Sequence, residues 1–309
     1  MKTTIYTHES GLTHDTGEAH PERADRLRVI YDLLDTPPFD TLPRVKPPPA
    51  EMDHLLLAHI PDYIETVENM IPPMGVVDWG GEVMLSPGTW ESALRAVGAG
   101  CLAVDDIFQN KTTRAFCAVR PPGHHALPDR AMGFCLFNNI FIAARHAQIS
   151  YGVKKIAIID FDVHHGNGTD HMTRSHDGSI LFISTHQYPL WPMSGHPDDN
   201  EDSVQNWILP PESGSEIFRK LYETHVFPAV KDYAPDLIMI SAGFDAHQDD
   251  PLGGLNLTAD DFEWVTRHLC TLANLTAQGR ILSMLEGGYD LNALRESVSA
   301  HLRALISSG

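Results

Sequence analysis

Short apolar runs alternate with amphipathic segments along this chain. The runs are residues 115–119, 156–159, 180–183, 237–240 and 281–285. Their length and their β-branched residues are typical of strands buried on both faces of a parallel sheet. Apolar residues at helical spacing predict helices over residues 90–108, 138–148, 216–233, 260–277 and 291–306. The alternation predicts an α/β fold, in which helices flank a parallel sheet.

Each of the five apolar runs is followed at its C-terminal end by residues that can do chemistry. In open parallel sheets the binding site lies beyond the carboxyl ends of the strands. The pattern therefore predicts one site at that edge of the sheet, to which several strands contribute.

The strongest polar cluster follows residues 156–159. Alternate side chains of an extended segment share a face, so Asp160, Asp162 and His164 are expected to project together. Two carboxylates and an imidazole resist burial unless a cation lies between them, and a divalent metal is the simplest such cation. Asp245, at the end of another run, is predicted as a third ligand beside Asp162 and His164. An Asp–His–Asp set leaves a position open for water or substrate, as in catalytic zinc sites.

An adjacent histidine pair, His124 and His125, follows a Pro-Pro-Gly turn and is predicted to do acid–base chemistry. Asp160 is assigned as the partner of His124, and Asn167 as the partner of His125. A carboxylate raises the pKa of its imidazole more than an amide does, so His125 is predicted to be the better general base. Tyr289, which follows two glycines, is a candidate hydrogen-bond donor to an oxyanion.

Composition narrows the class of protein. The 309 residues are 42% hydrophobic and 20% charged and show no break, so residues 1–309 are predicted to form one domain. The formal net charge of −19 argues against non-specific nucleic-acid binding. No signal peptide and no membrane-spanning apolar run is recognised, which predicts a cytoplasmic protein without a membrane partner. Four cysteines without C-x-x-C spacing are expected to be buried free thiols.

The motifs together resemble the zinc-dependent histone deacetylase superfamily, which includes bacterial histone-deacetylase-like amidohydrolases, acetylpolyamine amidohydrolases and acetoin-utilisation proteins. They run in order from His20 to Tyr289 and so cover nearly the whole chain. Asn167 is similar to the class II branch, because class I carries Asp there. The motifs are R-P-P-G-H-H, G-F-C-x-F-N-N, D-x-D-x-H-H-G-N-G-T, S-x-H-Q-Y-P, A-G-F-D-A-x-x-x-D-P-L-G-G and E-G-G-Y-D.

This resemblance implies an arginase-like α/β fold with a central, mostly parallel sheet of about eight strands and helices on both faces. It implies one Zn²⁺ per chain, held by Asp162, His164 and Asp245. His125 would be the general base and acid, with His124 as its electrostatic partner, and Tyr289 would stabilise the oxyanion.

The resemblance also implies a structural K⁺ and a substrate tunnel. The potassium ligands would be Asp160, the backbone of Asp162 and His164, Ser184 and the backbone of Thr185. Gly133, Phe134 and Trp191 match the tunnel walls, and Arg23 matches an arginine near the cavity through which acetate leaves.

The implied reaction is hydrolysis of an acylated amine with release of acetate. Acyl-lysine, an acetylpolyamine and another small acylated amine remain open as substrates, and the short chain favours acyl-lysine or a small amine. The oligomeric state is open. A two-manganese ureohydrolase is disfavoured because Ala246 and His247 follow Asp245, where arginases place a further Asp. A catalytically silent acyl-lysine binder is disfavoured because the histidine pair and Tyr289 are kept.

Overall fold

Eight parallel strands form the central sheet, in the order β2-β1-β5-β10-β9-β6-β7-β8. The computed structural model describes residues 2–80 and 82–307. A small antiparallel pair, β3 and β4, lies outside this sheet. The strands are β1 (Thr3–Tyr6), β2 (Arg44–Val45), β3 (Val77–Asp78), β4 (Met84–Leu85), β5 (Arg114–Cys117), β6 (Ile156–Asp160), β7 (Ile180–Gln187), β8 (Val204–Leu209), β9 (Leu237–Ala242) and β10 (Ile281–Leu285).

Ten α-helices are found in the described residues. A π-helical turn over Tyr222–Val226 joins α7 to α8, so the helix predicted over residues 216–233 is one continuous helical stretch. The helices are α1 (Asp25–Leu34), α2 (Met52–Leu55), α3 (Pro61–Met70), α4 (Thr89–Phe108), α5 (Asn139–Tyr151), α6 (Asn167–Arg174), α7 (Ser215–Leu221), α8 (Phe227–Tyr233), α9 (Ala259–Thr276) and α10 (Leu291–Ser307).

The helices cover both faces of the sheet. Ala157 and Ile159 of β6 face a core that includes buried residues of α1, α9 and α10. Ile156 and Ile158 face the other core, against α4 and α5. A third apolar cluster packs α2 and α3 onto α4. Since both faces of the central strands are buried, the strands read as continuous apolar runs rather than as alternating ones.

The predicted α/β fold and its central parallel sheet are confirmed. The five predicted runs correspond to β5, β6, β7, β9 and β10. Three strands of the central sheet, β1, β2 and β8, were not predicted, because their sequences are not typical of core strands. In β1, buried Thr3 and Thr4 satisfy their hydroxyls with Leu305 O and Thr112 Oγ1. At the sheet edge, β8 is only partly buried.

The strand that carries the acidic cluster ends earlier than expected. β6 stops at Asp160, so Asp160, Asp162 and His164 do not project together from one strand face. The chain bends because Asp160 Oδ1 accepts the N–H of Asp162 (3.1 Å) and Asp162 Oδ1 accepts the N–H of His164 (2.9 Å). Side-chain acceptors of this kind compete with the strand and favour a turn.

The cysteines agree with the sequence-based expectation. All four cysteines are buried, and none forms a disulfide. Among the described helices, none combines the length and the apolarity needed to cross a bilayer.

Candidate active site

The candidate site lies at the carboxyl ends of four adjacent strands, β5, β10, β9 and β6. Parallel strands bring residues that are far apart in sequence to the same edge. The site residues that follow these strands are His124 and His125 after β5, Asp162 and His164 after β6, Asp245 after β9 and Tyr289 after β10.

Asp162, His164 and Asp245 form a buried cluster, hereafter the catalytic cluster, whose ligand atoms lie within 4.8 Å of one another. His164 Nδ1 lies 3.1 Å from Asp162 Oδ1 and 3.1 Å from Asp245 Oδ2. Backbone amides fix the carboxylates: Gly287 N donates to Asp162 Oδ2 (2.8 Å) and Val163 N to Asp245 Oδ1 (2.8 Å). The two strand ends are therefore held together at this point.

The catalytic cluster fits a divalent metal. A Cβ atom at Gly243 would overlap the carboxylate of Asp162, and one at Gly287 would overlap those of Asp162 and Asp245, so glycine at both positions leaves room for this donor set. Burial and the neighbouring Asp162 raise the pKa of Asp245 to about 7, although His164 opposes this. A cation held between the carboxylates relieves that repulsion, and two carboxylates with one imidazole suit catalytic Zn²⁺.

His124 and His125 have the partners predicted from the sequence. His124 Nδ1 lies 2.9 Å from Asp160 Oδ2, and His125 Nδ1 lies 2.8 Å from Asn167 Oδ1. Burial lowers the pKa of His124, but Asp160 and Asp162 outweigh it and raise that pKa to about 10. Burial, and then the charge of His124, lowers the pKa of His125 well below its usual value. The pKa order is the predicted one.

The hydrogen bonds of Asn167 define the tautomer of His125. The amide nitrogen Nδ2 faces His125 O (3.4 Å) and Met132 Sδ (3.2 Å), which leaves Oδ1 for the His125 ring. An amide oxygen only accepts, so Nδ1 of His125 carries the proton. Nε2 of His125 is therefore the basic nitrogen.

A cavity of about 440 Å³ opens onto this site, with His125 and His164 at its base. Its wall turns at Gly133 and Phe134, both of which have left-handed φ angles, +55° and +66°. A Cβ at Gly133 would collide with His125 and Trp191. A bulky residue in the left-handed region is strained, and such strain is found where a side chain is aimed at a functional site. The lining residues are His20, Pro21, Asp78, Glu82, Met84, His125, Gly133, Phe134, His164, Leu190, Trp191, Leu252 and Tyr289.

Aromatic rings narrow the cavity. Phe134 meets Tyr289 edge to face, with ring centroids 5.7 Å apart. Trp191 meets His125 in the same way at 4.8 Å. The predicted tunnel residues Gly133, Phe134 and Trp191 thus line one cavity with the histidine and tyrosine candidates. This geometry suits a narrow, unbranched substrate chain.

Tyr289 is held by its backbone as well as by its ring. Its N–H donates to Asp250 Oδ2 (2.6 Å), and the preceding Gly288 has a φ of +119°, which favours glycine. The guanidinium carbon of Arg26 lies 5.0 Å from the ring centroid. Burial raises the pKa of Tyr289 well above its usual value, so the hydroxyl stays protonated and can donate.

The arginine beneath Tyr289 is Arg26 and not Arg23. Arg23 is 40% exposed at the surface, where it pairs with Asp25. Arg26 lies in the first turn of α1, is fully buried and donates to Gly288 O (2.6 Å). The assignment of Arg23 to the cavity through which acetate leaves stays a prediction.

Sequence reasoning also missed the buried charges around Arg26. Glu22 pairs with Arg26 (3.1 Å) and with the guanidinium of Arg120. Glu286 Oε2 accepts the N–H groups of Gly123 (2.7 Å) and His124 (3.1 Å), and burial raises the pKa of Glu286 to about 7. The spacing of Glu22 and Arg26, one turn apart at the start of a helix, was the one available signal.

The residues proposed for K⁺ lie together behind the catalytic cluster. Asp160 and Ser184 are register partners on β6 and β7. Thr185 Oγ1 donates to Asp160 O at 3.3 Å, and Ser184 Oγ lies 2.9 Å from His186 Nδ1. The backbone of Asp162 and His164 follows directly after β6. This proximity supports a cation there as a proposal.

Comparison with known proteins shows which family the chain resembles. The family model described as the histone deacetylase domain matches residues 20–305. The histone deacetylase-like amidohydrolase of Pseudomonas aeruginosa is 35% identical over 277 residues, which cover 87% of this chain and 72% of that protein. Histone deacetylase 14, chloroplastic, of Arabidopsis thaliana is 35% identical over 98% of this chain and 76% of that protein.

Some relatives are much longer. Type-2 histone deacetylase 2 of Dictyostelium discoideum is 35% identical over 99% of this chain, which spans only 21% of that protein.

Among solved structures, the HDA15 HD domain superposes with a TM-score of 0.91 and 32% identity, over 98% of this chain and 88% of that domain. The chain therefore belongs to the histone deacetylase family, whose members named here include an amidohydrolase, and amidohydrolases hydrolyse amide C–N bonds.

Proposed function

We propose that this protein hydrolyses the acetyl amide of an acylated primary amine, with acyl-lysine as the substrate class, and releases acetate. One observation carries this assignment: the aromatic cavity is lined by His164 of the catalytic cluster together with His125 and Tyr289. A chain about the width of a lysine side chain can reach the base of such a cavity, where water, a base and an oxyanion donor meet.

Asp162, His164 and Asp245 would hold Zn²⁺, which supplies Lewis-acid polarisation of the acyl carbonyl and acidifies water. Nε2 of His125 removes a proton from the attacking water, since its Nδ1 is occupied by Asn167 Oδ1. Asp160 keeps His124 charged, and this positive charge favours the negative charge that develops on the substrate.

The hydroxyl of Tyr289 donates to the carbonyl oxygen as it becomes an oxyanion. Collapse of the tetrahedral intermediate breaks the C–N bond, and the proton held on Nε2 of His125 passes to the departing amine. The products are acetate and a free primary amine, so atoms and charge balance with one water consumed. K⁺ bound near Asp160 and Ser184 would support the loop after β6.

The acidic rim of the cavity favours a positively charged substrate. Asp78 and Glu82 line the mouth and are exposed. The formal net charge of −19 adds a long-range attraction for positive chains. Lysine-rich peptides and acetylpolyamines share this positive charge.

A ureohydrolase with two metal ions is not favoured by the ligand set. Within residues 2–80 and 82–307 the catalytic cluster has three ligand side chains, and a second bridged metal needs further carboxylates. Residue 247, two positions after Asp245, is His, and its Nδ1 accepts the N–H of Asp249 (3.2 Å) instead.

Deacetylation is tested by a substrate panel of acetyl-lysine peptides, acetylputrescine, acetylspermidine and longer acyl-lysines, measured as acetate release. We expect turnover of acetyl-lysine that a chelator abolishes and Zn²⁺ restores, and no urea from arginine. The Asp245→Ala variant should lose both activity and one zinc ion. Full activity of this variant, or activity that survives complete removal of metal, would contradict the assignment.

A further inference from the structure

A second group of metal-binding side chains lies between three helices on the α4–α5 face of the sheet. His54 of α2, Cys101 of α4 and His146 of α5 each offer one ligand atom, and these atoms lie within 4.8 Å of one another. The rings of His54 and His146 are 5.2 Å apart. We propose that this helix cluster binds a structural Zn²⁺ ion, in addition to the ion of the catalytic cluster.

The donor types select the metal. Thiolate and imidazole are ligands that zinc prefers, whereas Mg²⁺ and Ca²⁺ prefer oxygen. Structural zinc has four ligands, so a water molecule would supply the fourth ligand here. Ligand atoms in a tetrahedral zinc site lie roughly 3.5 Å apart. The side chains must therefore move closer by about an ångström, which rotation of two imidazoles on separate helices can supply.

A carboxylate beside the helix cluster supports the assignment. Asp105 lies one helical turn after Cys101, and its Oδ1 is 2.8 Å from His146 Nε2 and 2.9 Å from the Tyr151 hydroxyl. Carboxylates that contact a metal-binding histidine orient the ring and raise its basicity. Together, one thiolate and this carboxylate would balance the charge of Zn²⁺.

The helix cluster also explains a buried cysteine among histidines. Cys101 is 4% exposed and belongs to the apolar cluster that joins α2 to α4, beside Leu55. Burial raises the pKa of its thiol well above the usual value. Zinc binding would displace the thiol proton to solvent and form a Zn–S bond, with no change in oxidation state.

One hydrogen bond of the His54 ring competes with metal binding. Its Nδ1 accepts the N–H of Glu51 (3.1 Å) in the capping box of α2, and this bond is exposed to solvent. Water can replace the ring as the partner of that N–H when the imidazole turns to the metal. Zinc would then join the four-residue helix α2 to the two long helices beneath it.

The test counts zinc in the full-length protein and uses Co²⁺ as a probe. Four proteins are dialysed against Zn²⁺: wild type, Cys101→Ala, Cys270→Ala and Asp245→Asn. We expect two, one, two and one zinc ions per chain. Cys270 is the matched control, because it is a buried cysteine on α9 in the opposite core.

Co²⁺ distinguishes the two sites, since only the helix cluster contains a sulfur ligand. A thiolate-to-cobalt charge-transfer absorption band should appear in wild type, Cys270→Ala and Asp245→Asn, and be absent in Cys101→Ala. His54→Asn, at the least buried ligand, serves as the second variant if Cys101→Ala does not fold, and it should lose at least tenfold in Co²⁺ affinity. Equal zinc content in wild type and both ligand variants, without a charge-transfer band, would overturn the inference. Retention of two zinc ions by Asp245→Asn would count against the proposed deacetylase site alone.

Discussion

The catalytic cluster and the helix cluster each bring three ligands together, but from different kinds of structure. The catalytic cluster is oxygen-rich, follows strand ends and opens into the substrate cavity. The helix cluster has one sulfur and two nitrogen donors on three helices. An oxygen-rich set beside a cavity leaves room for a reacting group, whereas a sulfur-containing set between helices suits a static cross-link. The donor type and the adjacent space, more than the number of ligands, separate the two roles.

The two clusters also differ in what holds them. Backbone amides of Gly287 and Val163 fix the carboxylates of the catalytic cluster, and the buried Glu22–Arg26–Arg120 group supports the loops around it. The helix cluster depends on side-chain packing between α2, α4 and α5. Substitutions around the catalytic cluster should therefore have larger effects on stability and activity than substitutions at the helix cluster.

Glu22→Gln should cause the largest loss of stability, because it leaves two buried guanidinium groups without their carboxylate. Breaking one partner of a buried ion pair costs about 3–5 kcal/mol of unfolding free energy. Urea denaturation at pH 7 measures it. Glu91→Gln is the matched control, since Glu91 also pairs with an arginine at i+4 (Arg95) but is exposed. A loss below about 1 kcal/mol at Glu22 would show that the buried group does not support the fold.

The same variant should change the pH dependence of stability. Burial alone would raise the pKa of Glu22, but Arg120 and Arg26 outweigh it and lower that pKa to about 2. Because the folded pKa is depressed, this stabilisation is fully present above the unfolded value of about 4.5 and is lost as pH falls towards 2. The difference in unfolding free energy between wild type and Glu22→Gln should therefore shrink over that range. A constant difference would contradict the assignment.

Tyr289→Phe should reduce kcat by about 10²–10³-fold, because one oxyanion donor is lost. KM and the zinc content of both clusters should change little. Tyr233→Phe is the control, since the Tyr233 hydroxyl lies at the surface near Gly178 O (3.4 Å). An unchanged kcat in Tyr289→Phe would remove Tyr289 from the mechanism.

A matched pair of Asp→Asn variants compares the carboxylates beside the two clusters. Asp160 contacts His124, and Asp105 contacts His146. Loss of such a carboxylate typically costs about 10–100-fold in activity or metal affinity. We expect Asp160→Asn to lower kcat and move the alkaline limb of the pH profile to lower pH, because His124 loses the group that raises its pKa. Asp105→Asn should instead weaken the Co²⁺ charge-transfer titration. If both variants changed kcat and the Co²⁺ titration in the same way, the proposed difference in role between the two clusters would be contradicted.

Neutralising the rim should have the smallest effect. Asp78→Asn and Glu82→Gln should each raise KM for a lysine-rich acetylated peptide by about 1.5–5-fold, as expected for exposed charge pairs. The effect should vanish at high salt and with a neutral peptide. Glu216→Gln, an exposed residue of α7, is the control. A larger effect on the neutral peptide would indicate packing rather than charge.

The catalytic cluster could be predicted from the sequence, whereas the helix cluster could not. Asp162 and His164 are two residues apart and follow a recognisable apolar run, and Asp245 follows another, so the sheet topology brings them together. His54, Cys101 and His146 are separated by 47 and 45 positions on three helices. Their approach depends on how α2 packs onto α4 and α5, which hydrophobic spacing does not specify.

The sequence also did not show that Arg26, rather than Arg23, lies beneath Tyr289. Arg23 precedes α1 and is partly exposed, whereas Arg26 lies in the first turn of α1 and is buried, and the path of the chain into the helix decides this difference. Strand ends were also uncertain, because the carboxylate of Asp160 caps the following N–H and ends β6 before the extended pattern does. Local polar contacts of this kind cannot be read from hydrophobic spacing. The five central strands and the histidine pair, in contrast, could be predicted from the residues themselves.

β10 is the last strand along the chain, yet it lies between β5 and β9 at the centre of the sheet. During synthesis, β5 and β9 leave the ribosome first and each exposes an unpaired edge until residues 281–285 arrive. The nascent chain therefore passes through a stage in which its two halves cannot join. Insertion of β10 both closes the sheet and brings Tyr289, four residues further on, to the candidate site, so the sheet and the proposed site are completed in the same step.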